Sequence, residues 1–137
     1  MTPAARWAAA AAVLDQIEAG EPAEKALTTW ARKSRFAGSK DRAAIRDHVY
    51  DILRCWRSTA ALGAGTTGRA RVLGRLRQTG QDPATVFIGE GYALDSLSDE
   101  ELAAGHAPDG AEALDLPDWI YDIFVNDLTD KAEATAE

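Results

Sequence analysis

The side chains with the widest chemical reach in this sequence are one cysteine, Cys55, and two histidines, His48 and His106. His48 and Cys55 stand at i, i+7, which places them on one flank of a helix, and imidazole beside thiolate is half of a zinc site. Zinc needs further ligands at matching spacing, and nothing else along the chain supplies them. The pair therefore reads as a polar flank with a half-buried thiol. No metal or cofactor site is expected in this chain, and a lone cysteine excludes an intrachain disulfide.

A second pattern is GAGTTG, Gly63 to Gly68, which matches G-x-G-x-x-G letter for letter. In a dinucleotide or S-adenosylmethionine site a buried strand aims that turn and a following helix receives the charged group. Here a strongly periodic helical pattern precedes the glycines and no strand pattern lies near. The stretch reads as a helix–helix connection, with Thr67 as N-cap of the next helix.

The third pattern is charge. The formal net charge is −7, which taken alone argues against a nucleic-acid partner. Its distribution reverses that inference: residues 1–78 hold 14 of the 15 Lys/Arg and 7 of the 22 Asp/Glu, a formal +7, against −14 for residues 79–137. A basic working surface followed by an acidic segment with another task is the expectation. Arg32, Lys33, Arg35 and Lys40 surround Phe36 in a Ser- and Gly-loosened stretch, which is expected to form a phosphate-contact surface with an aromatic among the cations. Phe36 itself is expected to anchor that loop in the core. Arg46, Tyr50, Arg54 and Arg57 form a basic and aromatic ridge on the next helix. Arg71 and Arg75 follow at i, i+4 and are expected to point outward. Like charges at that spacing cost a few tenths of a kcal/mol, and Gly74 between them weakens a helix by about 1 kcal/mol relative to Ala, so the segment fits a polyanion partner.

These residues must be positioned by helices. The central one is read as Ser39 to Ala61, about six turns, with Ser39 as N-cap, Asp41 at the positive end of the dipole, and Gly63 and Gly65 as the stop. Ile45, Val49, Ile52, Leu53, Trp56 and Ala60 fill an apolar stripe about 100° wide. Asp41, Asp47, His48, Asp51 and Cys55 occupy the flank opposite the basic ridge. Before it, a helix over 3–19 is capped by Thr2, starts on Pro3 and buries Trp7, Ala10 or Ala11, Leu14 and Ile17. A shorter helix from Pro22 to about Arg32 buries Ala26, Leu27 and Trp30. After it, residues 68–78 form the Arg-rich helix with Ala70, Leu73 and Leu76 inward. Asp82-Pro83 opens a short helix through Val86, Phe87 and Ile88, ended by Gly89 to Tyr92. Ser98 with Glu101 is a capping box for a short helix. Residues 105–115 are loop, and a last helix from Pro117 presents Trp119, Ile120, Ile123, Phe124 and Leu128 on one side. The final LTDKAEATAE enters a helix without a C-cap, as a chain that continues would.

At 137 residues and 46% apolar, the chain is one globular domain's worth. No run approaches the roughly 18 apolar residues of a membrane span. Residues 8–13 are too short and weakly apolar for a signal segment, so no membrane and a cytoplasmic location are expected.

With the helices laid out, the pattern resembles the N-terminal NusB-like RNA-binding domain of bacterial RsmB-type 16S rRNA (cytosine-5)-methyltransferases. The residues that carry the resemblance are DRAAIRDHVYDILRCWR, Asp41 to Arg57, preceded by FAGSK and followed by the Arg-rich helix. Supporting matches are Arg6, Leu14 and Ile17 in the first helix, and LPDWI at Leu116 to Ile120. The resemblance implies an all-α, NusB-like bundle of about six to seven helices over 1–115. Residues 116–137 would begin a connector toward a catalytic domain absent from this chain. It also implies ribosomal RNA, 16S above all, as partner, docking onto the protein's own methyltransferase domain, with S-adenosylmethionine bound only there. This chain has no Pro-Cys nucleophile motif, and its one thiol lies inside a helix, so it is not expected to be an enzyme by itself. The double-Arg start of free-standing NusB proteins is also missing, since only Arg6 stands in PAARWAAA.

Three other readings stand beside this one. A free-standing NusB-like transcription antitermination factor would use the same basic half, and bundles of this kind can homodimerise. A protein-interaction module would dock through the helix at 119–128 without RNA. A helix-turn-helix DNA binder fits the basic half, but no short turn separates two helices of matching size.

Overall fold

A computed structural model describes residues 1–105. The expectations for His106, the loop to residue 115, the helix from Pro117 and the boundary at 115/116 lie outside the described residues. Within them the chain is all-α: six α-helices, one 3-10 turn and no strand.

Helix α1 (Pro3–Glu18) begins as its sequence dictates. Thr2 Oγ1 accepts from the Ala5 N–H at 3.1 Å, and Pro3 occupies the first turn, where a missing N–H costs nothing. It buries Trp7, Ala10, Ala11 and Leu14, with Ile17 packed at the edge. Helix α2 (Ala23–Lys33) follows Gly20 and Pro22 and buries Ala26 and Leu27, with Trp30 half-buried. Helix α1 lies against α2, against α3 (Ser39–Arg54), and against α5 (Gly68–Thr79). Between them Leu14, Ile45, Val49, Ile52, Val72, Leu73 and Leu76 are each at most 1% exposed and form the core.

The long central helix is two. Helix α3 ends at Arg54, Cys55 leaves helical geometry at φ −122°, ψ 40°, and α4 (Trp56–Gly63) restarts in a new direction. The hydroxyls of Thr59 and Ser58 both turn back to the Cys55 carbonyl, at 2.7 and 3.3 Å, so local hydrogen bonds support the break. The gain is packing, because α4 now runs against α5 as the most extensive helix pair among the described residues. Gly74 makes that approach possible: a Cβ there would sit 1.9 Å from the Thr59 carbonyl oxygen. Gly68 does the same for α1, with a would-be Cβ 1.9 Å from the Ala11 oxygen. Gly74 is thus a close-approach residue of the core, not a sign of a polyanion partner.

The cap of α3 also differs from expectation. The N-cap is Gly38, which has no side chain to offer, and Asp41 takes over by accepting the Gly38 N–H at 3.2 Å. The same carboxylate accepts from Arg6 Nε at 2.9 Å and tethers α1 to the start of α3. The Arg6 hydrogen bond is the main reason the Asp41 carboxyl is held below its usual range.

The connection 64–67 is the helix–helix joint read from GAGTTG, and Thr67 Oγ1 accepts from the Ala70 N–H at 3.1 Å. Asp15 Oδ1 accepts from the Gly68 N–H at 2.7 Å, placing a carboxylate at the positive end of α5. Beyond α5 the expected helix through Ile88 is only a 3-10 turn, Pro83–Thr85, after which Val86 and Phe87 are buried as anchors. Residues 89–98 return across the bundle to α6 (Asp99–Ala103), whose Ser98–Glu101 capping box is formed in both directions. Arg69 holds this return segment through Glu101 (2.8 and 2.9 Å) and the Asp95 and Ser96 carbonyls. Arg77 adds bonds to the Leu62, Glu101 and Ala104 carbonyls.

Candidate nucleic-acid interface

The ten residues expected to touch RNA divide into three groups. Arg71 stands apart. It is 3% exposed, with its guanidinium 3.4 Å from the Trp56 ring centroid. It donates to the Trp56 carbonyl at 3.1 Å, to the Thr66 carbonyl, and to Glu18 Oε2 at 3.2 Å. Burial pulls its pKa below the usual arginine value while Glu18 pulls it back. The expectation that Arg71 and Arg75 both point outward is corrected here: α5 is covered by α1 on one side and α4 on another, so Arg71 falls inside the joint. Arg75 is half-buried, donates to Gln78 Oε1 at 2.8 Å and lies 3.9 Å from the Cys55 sulfur.

The α3 ridge forms the second group, and acids of its own chain already occupy it. Arg46 and the Tyr50 hydroxyl both donate to Glu24, the latter at 2.6 Å. The Arg46 hydrogen bond, followed by that of Tyr50, holds the Glu24 carboxyl below its ordinary range, and Tyr50 is raised in turn. Arg54 pairs with Asp51 one turn back, so the basic and acidic flanks are tied together. Arg57 is half-buried and partnered. Exposed pairs of this kind are weak, so Arg46 and Arg54 can exchange a carboxylate for a phosphate.

The third group is the α2–α3 corner. Arg32, Lys33, Arg35 and Lys40 are exposed, with no ion-pair partner among the described residues. Arg42, one turn into α3, is likewise exposed and lines a cleft of about 250 Å³ with Trp30, Leu27 and Arg46. The corner projects because Ser34 and Ala37 are buried while Arg35 and Phe36 between them are not. Phe36 does not anchor the loop in the core: it is 65% exposed. Its ring meets the edge of Trp30 at 6.5 Å and lies nearly parallel to Tyr92, 19° off, with centroids 6.0 Å apart. Tyr92 is 82% exposed, so two large aromatics stand together in solvent beside the cations.

Tyr92 and Arg42 are the residues that reading the sequence missed. Tyr92 lies far along the chain in a glycine-flanked stretch, and only the return of 89–98 across the bundle brings it to Phe36. An aromatic set among Gly89, Gly91 and Glu90 was the available signal, because nothing there could bury it.

His48 is stacked on Trp7, with centroids 3.6 Å apart and planes 9° off parallel. Burial lowers its pKa, partly opposed by Asp51 and Asp47. Cys55 lies at the α3–α4 break, and no group of three His, Cys, Asp or Glu able to hold a metal gathers among the described residues. No helix among them is long and apolar enough to cross a membrane.

No protein-family model, curated protein or solved structure matches this chain.

Proposed function

We propose that this chain is an RNA-docking domain whose working surface is the α2–α3 corner. The observation that supports the reading is the exposed Phe36–Tyr92 pair flanked by Arg32, Lys33, Arg35, Lys40 and Arg42, cations without ion-pair partners among the described residues. Phosphate contacts from Lys and Arg supply affinity, and aromatic faces supply contact with bases. Arg46, Tyr50 and Arg54 border this corner as exchangeable contacts. Arg71 belongs to the core and is left out.

In line with the NusB-like resemblance, the partner is ribosomal RNA, 16S above all, and the setting is cytoplasmic. The chain holds RNA for a methyltransferase domain of the same protein, and S-adenosylmethionine and the nucleophile belong to that domain. Binding of labelled 16S fragments, followed by fluorescence anisotropy, tests the reading. Lys33→Glu with Arg35→Glu weakens binding if the corner is the surface. Equal affinity for the variant and the parent would remove the corner from it.

A further inference from the structure

We infer that the Phe36–Tyr92 platform takes an unpaired nucleobase, which makes the preferred ligand single-stranded RNA and not duplex. This rests on the RNA reading above and adds the strandedness of the ligand.

Two aromatics from distant segments, 65% and 82% exposed, lie nearly parallel on the surface. Leaving both in water forgoes the burial such side chains normally gain, and this arrangement is what a stacking platform needs. The platform is braced on both segments. Trp30 meets Phe36 edge-on, and the turn that carries Tyr92 is closed by the Gly89 N–H donating to the Leu94 carbonyl at 2.9 Å. Beside the rings opens a groove of about 500 Å³ whose walls include Thr2, Ala5, Ile88 and Glu90. Its apolar wall suits the face of a base.

Charge chooses the occupant. Arg32, Lys33, Arg35 and Lys40 lie on the Phe36 side, within a few residues of the ring, and suit a sugar–phosphate backbone. Glu90 lines the groove itself, where a phosphate would be repelled and a base's exocyclic amine would find an acceptor. A free hydrophobic peptide would use the aromatics but leave the cations without a role. Duplex RNA keeps its bases stacked and paired, with only its backbone and 2′-hydroxyls within reach of such a platform.

The experiment compares one labelled RNA as a short single strand and as a blunt duplex, each titrated with the whole 137-residue chain. Parent, Tyr92→Ala, Phe36→Ala and Tyr92→Phe proteins are used, each checked for folding by circular dichroism. The single strand binds more tightly than the duplex. Tyr92→Ala and Phe36→Ala weaken single-strand binding by roughly 5- to 100-fold and leave duplex binding unchanged, while Tyr92→Phe retains affinity. Tyr92 is so exposed that its replacement spares the fold, and it carries the test should Phe36→Ala misfold. Equal binding of both RNAs, unmoved by either alanine variant, overturns the platform and leaves the RNA reading standing. Binding of neither RNA overturns both.

Discussion

The guanidinium of Arg71 lies over the indole of Trp56, 3.4 Å from its ring centroid, and closes the joint between α4 and α5. Its hydrogen bonds reach the Trp56 and Thr66 carbonyls across the joint. Arg71→Ala removes both the cation–π contact and those donors. It is expected to destabilise the fold by about 2–4 kcal/mol, read as a lower urea midpoint. Arg71→Lys recovers only part of the loss, since an ammonium cannot stack and fork in the same way. A midpoint unchanged in Arg71→Ala would contradict this account of the joint.

Gly74 faces Thr59 across the same joint. In an exposed helix, Gly→Ala gains about 1 kcal/mol. Here the new Cβ would meet the Thr59 carbonyl at 1.9 Å, and α4 must shift away. Gly74→Ala is therefore expected to destabilise by about 1–3 kcal/mol, the opposite sign to the propensity argument. Thermal unfolding of this single variant decides between the two.

Arg69 and Glu101 hold the return segment 95–104 to α5. The Arg69 hydrogen bond, aided by the Ser98 backbone N–H, brings the Glu101 carboxyl down to about 2 against the burial that raises it. Because the folded pKa lies below the ordinary glutamate value of about 4.5, the stabilisation is full above about pH 4.5 and is lost as pH falls toward 2. Amide protection in 95–104, taken relative to the intrinsic exchange rate at each pH, should fall over that window before the core opens. Glu101→Gln should show the lower protection already at pH 7. Pulse-labelling exchange across the pH series measures it, and uniform protection down to pH 2 would contradict the clasp.

What the sequence made legible was local. Thr2, Thr67 and the Ser98–Glu101 box cap helices through bonds that span a few residues, and each forms as read. The core stripe of α3 was equally plain, since Ile45, Val49 and Ile52 share one face. The break at Cys55 was hidden because apolar periodicity runs unbroken through it. Only the packing of α4 on α5, with Ser58 and Thr59 bonding back, chooses to bend there. Arg71 was misplaced for a related reason: a one-faced helix would have exposed it, whereas α5 is covered on two sides and buries Val72 and Gly74 as well. The Phe36–Tyr92 pair depends on the path of 89–98, which no spacing rule encodes.

The central claim is that the α2–α3 corner binds RNA phosphates, and salt tests it most directly. Affinity for a labelled 16S fragment should fall linearly on a log–log plot against salt concentration. The slope should flatten by about 1 for each phosphate contact removed when Lys33, Arg35 and Lys40 are replaced by Gln one after another. An affinity indifferent to salt, or a slope unchanged in the triple variant, would contradict it.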